Sequence, residues 1–428
     1  MSDILTSKLY KKSNKPYWVT PENDEQTTIP FRVGLATCVG VILWLGGYLG
    51  LVAVLVPAKI VEIAPDQKAS IVVFMAMIAM IFSTIANIVE GALSDRTCSR
   101  FGRRTPWIIF GSIGSFVVIL FWGKVTTVTG IIVCASLYQL FLNAIVAPLI
   151  AVLADRVAPK HRGMISSMYA VGSSAGVYGG QIVASFFVTS VYTGFVVMAV
   201  MTLLSGPLSA LILKEGSSIG MPVTKVTKST FLQQFAFPVK NTRDYYLALF
   251  GKLFIITSSN VIAGYQLYIL TDYFKFPLIV AGTYISYIST CLLVSSVVCA
   301  IVSGPIADKF NLRKWPVVLS GVIISIGCII PFIAPEPILL IVYGVVTGIG
   351  MGIFNALDQA LNIEVLPNPQ TAAKDLGVLN IANNGGNVLG PLAAVTAINI
   401  FGYSTTFAAA SVTALMGALL IAFIKKVK

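Results

Sequence analysis

Charged residues are scarce in this sequence of 428 residues. Asp, Glu, Lys and Arg make up 11% of the chain and apolar residues 56%, whereas about a quarter of an ordinary soluble domain is charged. Together with a mean hydropathy of +0.87, this excludes a soluble globular domain, because too little charged surface is present to face water. Apolar stretches of about 20 residues recur instead, each long enough to cross a bilayer as a helix.

Cysteine and histidine are also rare, and their positions exclude two kinds of site. Five of the six cysteines lie inside apolar stretches and only Cys98 lies in a polar loop, so the sequence predicts no disulfide framework. The single histidine, His161, forms no metal-binding constellation. We therefore expect no metal and no cofactor. No nucleophile and base stand in a catalytic pattern, so an enzyme is not expected either.

The apolar stretches predict an all-α membrane protein with twelve transmembrane helices in two six-helix bundles. The approximate spans are 33–56, 70–90, 106–123, 130–153, 164–187, 191–213, 246–271, 279–303, 316–334, 337–363, 375–398 and 402–424. One long polar interruption divides six spans from six. The predicted organisation is a tail at 1–31, a bundle at 32–213, a linker at 214–245 and a bundle with a short tail at 246–428.

The positive charges predict the orientation of the chain in the membrane. Both tails, the linker and the loops after the even-numbered spans hold 24 of the 29 Lys and Arg residues, and the loops on the other side hold 4. Because cytoplasmic loops are enriched in Lys and Arg, both termini and the linker are predicted to be cytoplasmic, in a multi-pass protein of the cell membrane. The net charge of +12 therefore reflects topology, and no nucleic-acid partner is expected.

An internal repeat relates the two halves. The loop GALSDRTCSRFGRRTPW at 91–107 returns in shortened form as GPIADKFNLRKWP at 304–316. Glycines also recur at four-residue intervals, at positions 172, 176 and 180 of span 5 and at 344, 348 and 352 of span 10. This spacing allows helix backbones to approach closely in lipid. The repeat predicts two similar bundles related by an axis along the membrane normal.

The first loop carries a family resemblance. Its pattern G-x-L-S-D-R-x-x-x-R-x-G-R-R resembles the cytoplasmic signature of the major facilitator superfamily. The extended stretch SDRTCSRFGRRTPWI, together with residues 154–163 and 357–383, resembles the glycoside, pentoside and hexuronide cation symporters and the sucrose-transporter-like proteins. The resemblance covers the chain outside the N-terminal tail and the linker. It implies the major facilitator fold and secondary transport by alternating access.

The charged loops are predicted to form a cytoplasmic gate. Gate contacts must be polar and reversible, since they break whenever the protein opens to the cytoplasm. Asp95 is expected to face a helix N-terminus or an arginine of the opposite bundle. The candidate gate residues are Asp95, Arg96, Arg104, Asp155, Arg162 and Asp308.

Ionisable residues inside a bilayer are costly and therefore indicate function. Asp358 lies within span 10 and Glu90 at the end of span 2, and we expect these two carboxylates to couple transport to an ion. A structural role in the gate stays open for both. Lys252, the one base inside a span, is expected to extend its ammonium group to the cytoplasmic interface.

The carboxylates of the related symporters are absent from their usual places. Melibiose-type carriers bind the coupling cation in the last two turns of span 2, where the aligned residues here are Ser83 and Asn87. Plant-type sucrose carriers use an acid in span 1, which has none here. A sodium site of the melibiose type is therefore not expected, and proton coupling and uncoupled transport stay open.

Amide side chains line helical faces in several spans. On span 11, for example, Asn380, Asn383, Asn384 and Asn387 follow the i, i+3, i+4, i+7 spacing of one helix face. Amides both donate and accept hydrogen bonds, as sugar hydroxyls do. The alternative is bonding between helices, worth about 0.6 kcal/mol per contact. The predicted substrate-binding residues are Trp44, Tyr48, Gln139, Asn143, Gln181, Asn260, Gln266, Asn355, Gln359, Asn383, Asn384 and Asn387.

These observations favour proton-coupled uptake of a sugar or glycoside by a monomeric transporter in the lipid bilayer. A permanently anionic substrate would require an arginine inside a span, and the sequence places none there. Two alternatives stay open. A proton-driven exporter of hydrophobic or amphipathic compounds would have a more apolar cavity, and a non-transporting membrane sensor would bind a ligand without flux.

Overall fold

The structure, a computed structural model of the chain, describes residues 19–222, 238, 242–310, 312–367 and 372–427, without the side chains of 308, 372–377 and 380. Within these residues the chain forms twelve long helical segments and no strand. The predicted all-α, twelve-helix fold class is thereby confirmed. The helices are α1 Phe31–Ile63, α2 Lys68–Asp95, α3 Thr105–Trp122, α4 Val128–Arg156, α5 Arg162–Ser185, α6 Val191–Leu213, α7 Arg243–Ala263, α8 Leu278–Phe310, α9 Lys314–Ile333, α10 Pro337–Glu364, α11 Ala372–Phe401 and α12 Thr405–Ala422.

Ten of these described helices are long and apolar enough to cross a membrane by length and composition. The other two, α5 and α11, carry glycine, serine and asparagine where the rest carry larger apolar residues. Both lie at the boundary between the bundles, where α5 packs against α8 and α11 packs against α2. The two less apolar helices therefore both lie at the interface between the bundles, each against a more apolar helix of the other bundle. The exact limits of tail, bundles and linker stay predictions.

Glycines set the distance between helices within each bundle. A Cβ added at Gly180 of α5 would overlap the backbone of Gly46 in α1. In the second bundle a Cβ at Gly352 of α10 would overlap the backbone of Ser296 in α8. Larger side chains at these positions would force the backbones apart, so the four-residue glycine spacing corresponds to direct helix contact.

The two halves repeat their polar contacts as well as their helices. Arg32, at the start of α1, donates through Nε to the carbonyl of Ile212 at the end of α6, at 2.6 Å. Arg243, at the start of α7, donates through Nη2 to the carbonyl of Phe423 after α12, at 3.3 Å. The same shift of 211 residues relates both partners. In each bundle, an arginine at the start of the first helix therefore bonds to the end of the sixth helix in the same way.

The two ends of the molecule differ in the contacts between the bundles. Residues 19–31 and 423–427 lie at one end, which we call the near end, and the opposite end is the far end. Toward the far end, Ser289 of α8 donates to Oε1 of Gln181 in α5 at 3.2 Å. At the near end a Cβ at Gly91, Gly163 or Gly304 would meet no described atom within 4 Å. The described polar contacts between the bundles therefore close the far end, whereas these three near-end glycines face open space.

Two π-helical turns lie toward the closed end. Leu51–Leu55 forms such a turn inside α1, and Ile269–Tyr273 forms another after the short helix Gln266–Tyr268 that continues α7. These are the first helices of their respective bundles. A π-helical turn leaves the usual backbone hydrogen-bond register and is common where a helix has a functional role.

Candidate functional site: a charged loop network and a buried ion pair

The arginine before α3 organises a charged network at the near end. Arg104 donates through Nε to Asp155 at 2.9 Å, pairs through Nη2 with Asp95 at 2.5 Å and donates through Nη1 to Ser94 at 3.0 Å. Arg103 pairs with the other oxygen of Asp155 at 2.6 Å. The Arg104 side chain is only 4% exposed, so this network fastens the ends of α2, α3 and α4 within the first bundle.

Three of the six candidate gate residues, Asp95, Arg104 and Asp155, come together here. Arg162 instead donates to the carbonyls of Ala154 and Val157 at the end of α4, a typical role for a base at a helix C-terminus. Arg96 is exposed, and the side chain of Asp308 lies outside the described part of the chain. Asp95 pairs with Arg104 of its own bundle, so the arginine that it meets in this structure is not one of the opposite bundle.

An acid that the sequence analysis did not select completes the network. Glu215, just after α6, accepts hydrogen bonds from the backbone N–H groups of Arg103, Arg104 and Thr105 at 2.8–3.1 Å and from the Thr105 hydroxyl at 2.9 Å. Gly102, at φ +91°, leaves room for its carboxylate. The available signal was the absence of a local cap, because Arg104 occupies the N-cap position of α3 without capping it.

Replacing Glu215 by alanine is expected to destabilise the first bundle by about 1–2 kcal/mol, because it leaves the first N–H groups of α3 without an acceptor. The midpoint of thermal unfolding in detergent should fall by about 2–4 °C. The matched control is Asp66→Ala, which removes an exposed acid from the turn before α2. Equal midpoints for the two variants would contradict the capping role.

The second bundle repeats one of these ion pairs. Arg313, just before α9, lies 3.4 Å from Glu364 at the end of α10. In the first bundle Arg103 before α3 pairs with Asp155 near the end of α4. In both bundles a base before the third helix therefore meets an acid at the end of the fourth, which extends the sequence repeat to side-chain contacts.

A buried ion pair lies between α7 and α10. Lys252 Nζ is 2.6 Å from Oδ2 of Asp358, and the side chains are only 7% and 11% exposed. Asn362, one turn further along α10, donates to the same oxygen at 3.0 Å. The prediction that Lys252 extends to the membrane interface is wrong, because a carboxylate on the neighbouring helix lies within its reach and offsets the cost of burial.

In the first bundle, several predicted binding residues contact one another. Gln139 donates to the Tyr48 hydroxyl at 3.3 Å. Asn143 donates to the Ser83 hydroxyl at 3.0 Å and accepts a hydrogen bond from Asn87 at 3.1 Å. These contacts join α1, α2 and α4. They are the interhelical bonds that the sequence analysis left open as an alternative to substrate contacts, and Ser83 and Asn87 occupy the positions aligned with the coupling carboxylates of melibiose-type carriers.

Other predicted binding residues keep polar atoms free of partners among the described residues. Trp44 Nε1 and Gln266 Nε2 are buried without a hydrogen-bond partner there. Gln181 bonds Ser289 of the opposite bundle, and Asn260 donates to a carbonyl one turn earlier on α7. Trp44 and Gln266 therefore belong to a larger set of buried polar atoms without a partner among the described residues, which also includes side chains such as Tyr138 and Thr347.

The amides of α10 and α11 are more accessible. Asn355 and Gln359 on α10 and Asn384 and Asn387 on α11 are exposed, and Asn383 is half-buried. On α2, Glu90 is half-buried and follows Ser83 and Asn87 along one helix face, with one carboxylate oxygen that has no partner among the described residues. Accessible amides therefore lie mainly on the second bundle, near the Lys252–Asp358 pair.

Twelve helices in two repeated bundles, ten of them apolar enough to cross a membrane, define a helical membrane protein with an internal repeat. The family described as Major Facilitator Superfamily matches residues 36–274 and 247–428, and the chain belongs to this superfamily. It is a transporter of small molecules and not an enzyme.

Solved structures of transporters have the same fold. A bacterial homolog of the human lysosomal transporter Spinster, in an inward-facing and unoccupied conformation, is 14% identical, with a TM-score of 0.65 over 93% of this chain and 95% of that chain. The nucleoside transporter NupG is 13% identical, with a TM-score of 0.68 over 92% and 100%. The human organic anion transporter MFSD10 is 14% identical, with a TM-score of 0.62 over 91% and 99%. Among curated proteins, none matches the sequence.

Proposed function

We propose that this protein imports a sugar or glycoside across the cell membrane together with protons, as a monomer with both termini in the cytoplasm. The observation that carries the proposal is the buried pair of Lys252 and Asp358. A carboxylate inside the membrane can accept a proton, which neutralises its charge. When the carboxylate is ionised instead, a neighbouring lysine balances the negative charge. Glu90 is a second proton-binding candidate.

The coupling step follows from the geometry of the pair. With Asp358 ionised, Lys252 and Asn362 hold its Oδ2 and tie α7 to α10. Protonation of Asp358 removes the charge that attracts Lys252, so the tie between the two helices weakens. The protonation state thereby biases how the helices of the second bundle pack, which is the bistable element that alternating access requires.

The polar groups on the inner helices fit a neutral polyol. Trp44 and Gln266 have buried donors without partners among the described residues, and the exposed amides of α10 and α11 offer both donors and acceptors. Sugar hydroxyls would satisfy these groups, and aromatic faces would pack on the apolar face of the ring. The resemblance to the glycoside and sucrose symporters supports the same substrate class.

Transport through this site requires the near end to open and close. With that end cytoplasmic, the structure is the state open to the cytoplasm. The network of Asp95, Arg104 and Asp155 stays intact in this state and keeps the ends of α2, α3 and α4 together. We assign it the role of a rigid cytoplasmic surface that meets the second bundle, including the end of α8 that carries Asp308, when the near end closes.

The proposal is tested by uptake of radiolabelled mono- and disaccharides into proteoliposomes under an inward proton gradient, an inward sodium gradient or neither. Saturable uptake of one or more sugars that only the proton gradient accelerates is the expected result. Acceleration by sodium would overturn the proton coupling, and absence of uptake for every sugar would overturn the substrate class. The second result would favour export of hydrophobic or amphipathic compounds.

A further inference from the structure

One ion pair joins the two bundles at the closed far end. Lys68 Nζ, in the first turn of α2, lies 2.6 Å from Oδ2 of Asp272, which belongs to the π-helical turn after α7. The side chains are 17% and 25% exposed. The Thr271 hydroxyl donates to the other carboxylate oxygen of Asp272 at 3.0 Å. Of the ion pairs between described residues, this one alone crosses from bundle to bundle.

Two tyrosines of the second bundle add hydrogen bonds across the same interface. Tyr265 donates through its hydroxyl to the carbonyl of Ala69 in α2 at 2.9 Å, and Tyr268 donates to the carbonyl of Pro57 in α1 at 3.0 Å. Lys68 Nζ lies 5.0 Å from the centre of the Tyr268 ring, within the range of a cation–π contact. Both tyrosine rings are fully buried.

The contacts stand on helix segments that depart from regular α-helical geometry. Asp272 lies within the π-helical turn Ile269–Tyr273, and Pro57 follows the π-helical turn Leu51–Leu55 of α1. A π-helical turn provides a place where a helix can bend, because its hydrogen bonds can shift register by one residue. The segments that carry Asp272 and Pro57 can therefore move while the rest of α7 and α1 stays helical.

We propose that Lys68 and Asp272, with Tyr265 and Tyr268, form the gate that closes the far end while the near end is open. The Lys68–Asp272 pair is partly exposed and the two tyrosine contacts are single buried hydrogen bonds, so each contributes a modest free energy and breaks reversibly. Opening at the far end requires that they part together. The inference rests on the proposed alternating access but not on the identity of the substrate or the coupling ion.

The test compares charge variants of the gate by labelling a cysteine that the closed far end buries. Ser289 is fully buried at the interface between α8 and α5, so Ser289→Cys, in a chain whose six native cysteines are replaced by serine, serves as the reporter. Vesicles with the far end outward are treated with a membrane-impermeant maleimide, and the labelling rate is measured without any substrate. This readout does not depend on whether a sugar is transported.

Lys68→Asp and Asp272→Lys are each expected to increase the labelling rate about fivefold or more, which corresponds to the loss of about 1 kcal/mol that held the gate closed. The double variant with both reversals should return the rate toward that of the parent. Lys59→Asp, which reverses one charge of the Lys59–Glu62 pair within α1, should leave the rate unchanged.

If a reversal variant does not reach the membrane, Lys68→Gln and Asp272→Asn replace it, with an increase of the same sign expected. An unchanged rate in the single variants, or a double variant no slower than the singles, would overturn the gate. Absence of sugar uptake together with the expected labelling pattern would overturn the proposed substrate and leave the gate standing.

Discussion

Replacing Lys252 by methionine is expected to destabilise the protein by about 3–5 kcal/mol and to abolish transport. The reason is that Asp358 would then stay buried without its counter-charge, and removing one member of a buried ion pair leaves the other uncompensated. Asn362 donates a single hydrogen bond to the same oxygen, which does not replace a positive charge. Asp358→Asn should be destabilising in the same way, because it leaves the lysine unpaired.

The double variant Lys252→Met/Asp358→Asn separates stability from coupling. With both charges removed, no buried charge lacks a partner, and replacing both members of such a pair is often close to neutral. We expect the double variant to unfold at nearly the parent temperature in detergent. If Asp358 is the coupling residue, its transport should be downhill only, with no acceleration by a proton gradient.

The matched control is Lys59→Met, which breaks the Lys59–Glu62 pair in α1. Glu62 is half-exposed, and such pairs contribute at most about 1 kcal/mol. Thermal unfolding and the yield of folded protein should therefore stay close to those of the parent. A Lys252→Met variant as stable as Lys59→Met would show that the pair is not desolvated. Proton-driven accumulation by the double variant would place the coupling site elsewhere, and Glu90 would then be the remaining candidate for the coupling residue.

Gly180→Ala is expected to destabilise the first bundle by about 1–3 kcal/mol or more. The added Cβ would overlap the carbonyl and Cα of Gly46. Both atoms belong to backbone, so no side chain can rotate away, and α1 and α5 must separate. Because α5 also carries the contact to α8, this separation should also reduce the transport rate.

The neighbouring glycine supplies the control. A Cβ at Gly179 would meet no described atom within 4 Å, and alanine is the better helix former. Gly179→Ala should therefore be neutral or slightly stabilising by thermal unfolding in detergent. Two variants of equal stability would mean that the α1–α5 contact is looser than the structure shows.

Sequence patterns predicted the features that depend on composition and local spacing. Apolar stretches predicted the twelve helices, the four-residue glycine spacing indicated where helices touch, and the repeated loop indicated two related bundles. Asp95, Arg104 and Asp155 were selected as gate residues from their charged loops, but the contacts among them were not predicted. The helices, the glycine contacts and the repeat could be predicted because each depends on residues within one helix or one short segment. The gate residues could be selected because a family signature carries them.

Pairings between distant segments could not be predicted. Glu215 reaches the start of α3 from a position 110 residues later in the chain, and Lys252 meets Asp358 across 106 residues. The uncapped start of α3 indicates that an acceptor is needed but not which residue supplies it, and no local pattern pairs Lys252 with Asp358, because both pairings depend on helix packing. The same applies to Lys68, at the start of α2, and Asp272, in the π-helical turn after α7. The sequence analysis used Lys68 only for topology and did not use Asp272.

The matching hydrogen bonds between the first and sixth helices have a consequence for how the two bundles depend on each other. Arg32 with Ile212 and Arg243 with Phe423 are related by one offset of 211 residues. A shared offset of this kind marks an internal repeat of a six-helix unit. One such unit forms only one wall of a pathway between bundles, so the second unit supplies the surface that encloses it.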